Sequence, residues 1–226
     1  MIKIQDIVKS YNGERVLRGV SLEIRDGEFV SIMGESGSGK STLLSILGGF
    51  LAPDEGKVLW DGKEIGALSE GELSALRCDK MGFVFQSYQL IPTLNVNDNL
   101  LLPTVLGKKL SKETREYVQS LVEELEISPL LKKFPHQLSG GQCQRVAILR
   151  ALAYSPSVLI LDEPTGALDS RMEKKVMELL LRINREKKTT VIQVTHSQAV
   201  ASYSKHIIHL ADGVIEREKG NGAAGK

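Results

Sequence analysis

The amino-acid sequence predicts an α/β fold with a mainly parallel sheet, an N-terminal antiparallel β subdomain and an inserted helical subdomain. Strand-like runs bounded by turn residues dominate residues 1–86, whereas residues 87–155 carry apolar side chains at helical spacing. From residue 156 onward, strand and helix patterns alternate. Alternation of this kind favours parallel strands with helices on both faces of the sheet.

Short runs rich in β-branched and apolar residues define the strands of the first segment. The predicted strands are Ile2–Val8, Val16–Ile24, Phe29–Met33 and Lys57–Trp60. Turn dipeptides such as Asn12-Gly13 and Asp61-Gly62 separate or end them. One helix, residues 40–49, is predicted to interrupt these strands.

The second segment is predicted to be helical, and the third segment to return to alternating strands and helices. The predicted helices of the second segment are Asn97–Leu106, Lys112–Leu125 and Gln142–Tyr154. The third segment is predicted to contain Val158–Leu161, Met172–Glu186, Thr190–Thr195, Ser197–Tyr203 and His206–Ala211. Residues 216–226 are rich in Gly, Ala and charge, which predicts a flexible tail. Because no internal repeat occurs, residues 1–226 are predicted to form one domain, whose core comprises 1–86 and 156–215.

Composition narrows the class of protein. The chain has 226 residues, of which 42% are hydrophobic and 25% charged, as is usual for a globular domain. A net charge of +1 provides no basic surface for nucleic acid or for an anionic membrane. Cys78 and Cys143 are far apart in sequence, which favours free thiols in a reducing compartment. No apolar run approaches the ~20 residues that a membrane-spanning helix needs, so another polypeptide is expected to supply any span.

A phosphate-binding loop is predicted where GESGSGKS follows the strand Phe29–Met33 and precedes a helix. The glycines permit backbone angles that direct successive N–H groups toward a phosphate. Lys40 is expected to bridge phosphate oxygens and Ser41 to bind Mg²⁺, while Thr42 contacts a phosphate from the helix N-terminus. The candidate binding residues are Gly34, Glu35, Ser36, Gly37, Ser38, Gly39, Lys40, Ser41 and Thr42. The pattern therefore predicts a P-loop NTPase core.

Two carboxylates follow the apolar strand Val158–Leu161. Four consecutive apolar residues are typical of a central parallel strand, and ligands bind at the carboxyl ends of such strands. Asp162 is expected to hold the Mg²⁺ shell and Glu163 to polarise an attacking water. A solvated loop would explain adjacent carboxylates equally well, but the buried strand before them and Pro164 after them disfavour it.

A second anion site is predicted at LSGGQ, residues 138–142. Ser139 is expected to cap the following helix, and a capped helix N-terminus with Gly140 and Gly141 attracts anions. Gln142 completes the motif. Because the phosphate loop already supplies one anion site, two sites per chain predict that two subunits each contribute half of a triphosphate pocket.

The ordered set of motifs resembles the ATP-binding subunit of an ATP-binding-cassette (ABC) transporter over nearly the whole chain. The resemblance rests on Tyr11, the phosphate loop, Gln86 in VFQ, LSGGQ, VLILDE, Ala167–Asp169 and His196 in VTH. It implies a homodimer that encloses and hydrolyses ATP with Mg²⁺. It further implies that the dimer drives an integral membrane permease from the cytoplasmic face of the membrane.

The same resemblance implies residue roles. Tyr11 would stack on adenine, although an exposed aromatic at a strand end is the simpler alternative. Gln86 would contact Mg²⁺ and water and couple them to the helical subdomain. Asp169 would lie at the dimer seam, and His196 would contact the γ-phosphate. Together with Glu163 and Lys40, Gln86 and His196 form the predicted catalytic set. Cys143 follows LSGGQ where the family usually has Gln or Glu, and we expect this difference to be tolerated.

Residues 77–103 and 194–213 resemble the group of ABC ATPases that serves macrolide export, lipoprotein release and bacitracin-type peptide resistance. This likeness implies an exporter or a mechanotransmission complex for lipids, peptides or drugs. Pro92, Thr93, Val96 and Asn99 are expected to meet the permease. Leu90, Ile91 and Leu94 are expected to contribute apolar surface there or to pack within the helical subdomain.

Three alternatives remain at this point. The chain could serve an importer, which only the resemblance disfavours. A non-transport ABC ATPase of DNA repair or translation would need a long coiled-coil or zinc-bearing insertion, or two cassettes, and the sequence has none. A regulatory nucleotide-binding module without turnover is disfavoured by Glu163 and His196.

Overall fold

The strands of the computed structural model, which describes residues 1–220, form two sheets. The strands are β1 (Ile2–Tyr11), β2 (Glu14–Ile24), β3 (Phe29–Met33), β4 (Glu55–Trp60), β5 (Lys63–Glu64), β6 (Met81–Val84), β7 (Val158–Asp162), β8 (Thr190–Val194), β9 (His206–Ala211) and β10 (Val214–Lys219). The first sheet has the order β2-β1-β4-β5 and is antiparallel. The second has the order β10-β9-β3-β8-β7-β6.

Residues 1–220 also form seven α-helices. They are α1 (Lys40–Leu47), α2 (Glu70–Lys80), α3 (Val96–Leu106), α4 (Lys112–Glu124), α5 (Gly140–Leu152), α6 (Ser170–Lys187) and α7 (Gln198–Ala201). Short 3₁₀ turns occur at Ile65–Ala67, Ser128–Leu130 and Pro135–Gln137. Within residues 1–220, no helix combines the length and the apolar character that crossing a bilayer requires.

The second sheet positions the functional residues. Strands β6, β7, β8, β3 and β9 are parallel, and β10 adds an antiparallel edge. Every residue of β3, β7 and β8 is buried, because helices cover both faces of the sheet. The carboxyl ends of these three neighbouring strands therefore meet at one edge, where open α/β sheets bind ligands.

Two apolar clusters flank the parallel sheet. One joins α3, α4, α5 and α6 to one face, and the other packs the antiparallel sheet and α1 against the opposite face. Val146, Ile148, Leu149 and Leu152 of α5 are all buried in the first cluster, as the sequence pattern predicted. Cys78 and Cys143 are free thiols, and burial raises the pKa of the Cys143 thiol.

The α/β prediction and the parallel pairing are confirmed, but some elements differ from the predictions. The sequence analysis did not predict helix α2 or strand β6. Helix α2 lacks a clear apolar pattern, because it is mostly polar and Leu73 is its single buried residue. The available signal was a capping box formed by Ser69 and Glu72. The flexible-tail prediction is wrong for residues 216–219, which pair with β9. Its residues 221–226 lie outside the described part of the chain.

Two residues predicted to face a permease are structural. Val96 and Asn99 are fully buried, so neither can meet a partner. The Asn99 amide oxygen accepts a hydrogen bond from the backbone N–H of Ile91 at 2.8 Å, and its nitrogen donates to the carbonyl of Leu94 at 2.9 Å. Asn99 thereby holds the loop before α3 in place. Pro92 and Thr93 of the same loop are exposed.

We expect Asn99→Ala to lower the free energy of unfolding by about 2–4 kcal/mol, because it leaves buried backbone groups of the loop without partners. Urea denaturation followed by circular dichroism measures this change. Asn97→Ala, at an exposed position of the same helix, is the matched control and should stay within about 0.5 kcal/mol of wild type. Equal losses in the two variants would contradict the assigned role of Asn99.

Candidate functional site

The loop between β3 and α1 is shaped for close approach of a ligand to the backbone. Gly39 has φ 97° and is the N-cap of α1, with no side chain capping the helix. A Cβ on Gly39 would lie 2.9 Å from the Val16 carbonyl, so only glycine fits there. A Cβ on Gly34 would lie 2.1 Å from the Leu210 carbonyl. The first-turn N–H groups of α1 therefore receive no side-chain cap, which suits an anion.

Lys40, the first residue of α1, is buried against this loop. Its Nζ donates to the Glu35 carbonyl at 2.5 Å and lies 3.5 Å from Ser38 Oγ. It forms no ion pair within residues 1–220. The Ser38 N–H donates to the same Glu35 carbonyl at 3.3 Å, so Glu35 and Ser38 shape the loop. A largely buried ammonium without a carboxylate partner favours an anionic ligand.

Asp162 ends β7 and is 8% exposed. Burial raises the pKa of its carboxyl group and the charge of Glu163 adds to the rise, while the neighbouring Ser41 hydroxyl and the charge of Lys40 oppose it. A hydroxyl and a carboxylate are hard oxygen ligands of the kind that Mg²⁺ prefers. The Ser41–Asp162 pair therefore fits a magnesium ion.

Glu163 and His196 come together at the same sheet edge. Glu163 has φ 49°, a left-handed conformation that its N–H supports by donating to the Val194 carbonyl at 3.1 Å. Its Oε1 lies 3.0 Å from His196 Nδ1. The Glu163 side chain is 18% exposed, whereas the His196 side chain is 76% exposed. A partly sheltered carboxylate is thus joined to an imidazole that solvent or a ligand can reach.

A cavity of about 730 Å³, here called the P-loop cavity, unites most of the predicted site. Its volume is typical of small-molecule sites. The predicted residues that line it are Tyr11, Gly34, Ser36, Gly37, Gly39, Lys40, Ser41, Thr42, Gln86, Asp162, Glu163 and His196. The geometry therefore brings together the glycine-rich loop after β3, the Ser41 hydroxyl and Asp162 carboxylate, the Glu163 carboxylate and the exposed ring of Tyr11.

Sequence reasoning missed part of the cavity lining. The additional residues are Val16, Tyr88, Gln144, Gly166, Ala167 and Val194. Tyr88 and Gln144 each lie two residues beyond a predicted site residue, which was the available signal. The amide nitrogen of Gln144 is buried and has no hydrogen-bond partner within residues 1–220.

The remaining predicted residues do not line the P-loop cavity. Ser139 caps α5 as predicted, with Ser139 Oγ accepting from the Gln142 N–H at 3.3 Å and Gln142 Oε1 accepting from the Ser139 N–H. Asp169 caps α6 by accepting from the Met172 N–H at 2.9 Å. Gly140 and Gly141 form the first turn of α5. Residues 139–142 therefore do not line the P-loop cavity of their own chain, although Gly140 and Gly141 lie close to its lining residues Tyr88 and Ala167.

Comparison with known proteins agrees with this geometry. Residues 17–166 match the family model described as ABC transporter. The lipoprotein-releasing system ATP-binding protein LolD of Aquifex aeolicus is 46% identical over 218 residues, which are 96% of this chain and 97% of LolD. The macrolide export ATP-binding/permease protein MacB of Syntrophobacter fumaroxidans is 43% identical over 226 residues, covering 97% of this chain and 32% of MacB.

A solved structure shares the whole fold. It is a dimeric ATP-binding cassette of Methanocaldococcus jannaschii in a post-hydrolysis state bound to ADP and Pi. It matches with a TM-score of 0.92 and 43% identity, covering 98% of this chain and 100% of that chain. The chain therefore belongs to the ABC transporter family, as one of its ATP-hydrolysing subunits.

Proposed function

We propose that two copies of this chain close around ATP, and that closure and hydrolysis drive an integral membrane permease. The observation that supports this proposal most directly is that the capped N-terminus of α5 does not line the P-loop cavity of its own chain. Lys40, Asp162 and Glu163 line the P-loop cavity, whereas Ser139 and its neighbours do not. A second subunit can bring its own Ser139, Gly140, Gly141 and Gln142 to that cavity, with Asp169 at the seam.

Charge explains why closure would depend on ATP. Lys40 and the N-terminus of α1 offer positive potential in one subunit, and the N-terminus of α5 offers it in the other. A triphosphate between them attracts both subunits. Loss of the γ-phosphate removes part of this attraction, so hydrolysis would open the dimer.

Within each cavity, different residues would have different chemical roles. Glu163 would orient water and accept its proton, and His196 would hold the Glu163 carboxylate and contact the γ-phosphate. Ser41, Asp162 and Gln86 would hold Mg²⁺, which when bound neutralises charge on the phosphate oxygens. Tyr11, which is 46% exposed at the end of β1, would stack on adenine.

The names of similar proteins support a membrane partner. LolD is named for lipoprotein release and MacB for macrolide export with a fused permease. We therefore place this subunit at the cytoplasmic face of the membrane, bound to a permease that handles lipids, peptides or drugs. An importer is the alternative. The net charge of +1 gives no reason to expect a nucleic-acid partner.

Glu163→Gln should form a stable ATP-bound dimer. The variant keeps the residues proposed to bind phosphate and metal, but its amide cannot accept a proton from water. We expect ATP turnover to fall about 100-fold or more, while size-exclusion chromatography with ATP and Mg²⁺ shows a stable dimer. Wild-type protein under the same conditions is the control. A Glu163→Gln protein that remained monomeric with saturating ATP would contradict closure around ATP.

Thr93→Arg should disturb permease binding without disturbing catalysis. Thr93 is exposed on the loop that Asn99 holds, and it does not line the P-loop cavity. We expect co-purification with an integral membrane protein from detergent-solubilised membranes to fall, while ATP turnover of the isolated subunit stays within about twofold. Glu178→Arg, on the exposed face of α6, is the control and should keep the permease. If the wild-type protein hydrolyses ATP but never co-purifies with a membrane protein, a non-transport ATPase is favoured. If it does not hydrolyse ATP, a regulatory nucleotide-binding module is favoured.

A further inference from the structure

The turn that follows Gln86 has a strained backbone. Tyr88 has φ 63° and Gln89 has φ 49°, so two consecutive non-glycine residues adopt the left-handed conformation. L-residues rarely do so unless the surrounding structure holds them. The local hydrogen bonds are from the Tyr88 N–H to the Phe85 carbonyl at 2.9 Å and from the Gln89 N–H to the Ser87 carbonyl at 2.7 Å.

Arg150 holds this turn from the last turn of α5. Its Nη1 donates to the Gln89 carbonyl at 2.5 Å and its Nη2 donates to the Tyr88 carbonyl at 2.8 Å. The two arms of one guanidinium therefore bind the carbonyls of the two strained residues. Arg150 forms no ion pair in the part of the chain that the structure describes, residues 1–220. The charged guanidinium therefore interacts with backbone carbonyls of this turn and not with a carboxylate.

The same turn reaches the P-loop cavity and the other end of α5. Gln86 and Tyr88 both line the cavity. The Tyr88 hydroxyl lies 3.3 Å from the point that a Cβ on Gly140 would occupy. Helix α5 thus contacts the turn at its first residue, through Gly140, and at its last turn, through Arg150.

We infer that Arg150 is a positioning residue, which fixes the Tyr88–Gln89 turn against α5 and so sets Gln86 in the P-loop cavity. The inference rests on the proposed function, because it gives Gln86 a part in turnover. It goes further because it identifies a side chain outside the cavity, that of Arg150, as the group that fixes where Gln86 lies. It also makes α5 the element that carries LSGGQ at one end and fixes Gln86 from the other.

Arg150→Lys tests this role, since lysine keeps the charge but cannot bind two carbonyls as a rigid fork. Arg145→Lys is the matched control. Arg145 is half-buried on the same helix and donates to the Leu125 carbonyl at 2.6 Å instead of the turn. We expect kcat to fall about tenfold in Arg150→Lys with KM for ATP within about twofold, and kcat of Arg145→Lys to stay within about twofold. Equal kcat losses in both variants would overturn the inference.

A double-mutant cycle shows whether Arg150 acts through Gln86. In a Gln86→Ala background, Arg150→Lys should lower kcat by less than about twofold further, because the group that it positions is gone. A further loss of about tenfold would mean that Arg150 acts by another route and would overturn the inference. Failure of the proposed closure around ATP gives a different pattern, in which Glu163→Gln stays monomeric with saturating ATP whatever the kcat of the Arg150 variants.

Substitutions at Gln89 test the strained turn even if Arg150→Lys fails to fold. Gln89 is exposed and does not line the P-loop cavity. Gln89→Gly accepts a positive φ freely and should keep wild-type kcat, whereas β-branched Gln89→Val resists it and should lower kcat about fivefold or more. Equal kcat values for the two variants would overturn the inference.

Discussion

A buried ammonium group and two carboxylates share one edge of the parallel sheet, and the site depends on that arrangement. Lys40 is the first residue of α1, directly after the loop that follows β3, while Asp162 ends β7 and Glu163 follows it. Burial raises the pKa of the Asp162 carboxyl group, because removal from water disfavours its charged form. A bound phosphate group would balance the charge of Lys40, and the proposed divalent cation would balance that of Asp162. Under the proposed function, the magnesium salt of a triphosphate would satisfy both requirements together.

Helix α5 connects this edge to the rest of the molecule. A Cβ on Gly141 would lie 2.8 Å from the Ala167 carbonyl, so the first turn of α5 packs closely on the loop that follows Glu163. Its buried residues anchor it in the larger apolar cluster. Helix α5 therefore contacts both the loop after Gln86 and the loop after Glu163. Under the proposed function, dimer closure at the N-terminus of α5 would reach the Glu163 carboxylate through these contacts.

Much of the site could be predicted from short motifs in the sequence. The phosphate loop, the strand ending in Asp162 and the Ser139 cap are each encoded within a few consecutive residues. The structure brings most of them into one cavity, while their individual roles stay predictions. Asn99 was misassigned because the face of α3 that it occupies depends on packing against a loop. The Arg150 contacts were not predictable, because their carbonyl partners lie 61 and 62 residues away along the chain.

The shared pocket is the central claim, and mixing two inactive variants tests it most directly. Lys40→Ala removes the phosphate contact of one subunit, and Ser139→Arg blocks the anion site that it offers to its partner. Each variant alone should lack ATP turnover. An equal mixture should recover about a quarter of wild-type turnover, because half of the dimers are mixed and each holds one intact pocket. A mixture no more active than the separate variants would contradict a pocket shared between subunits.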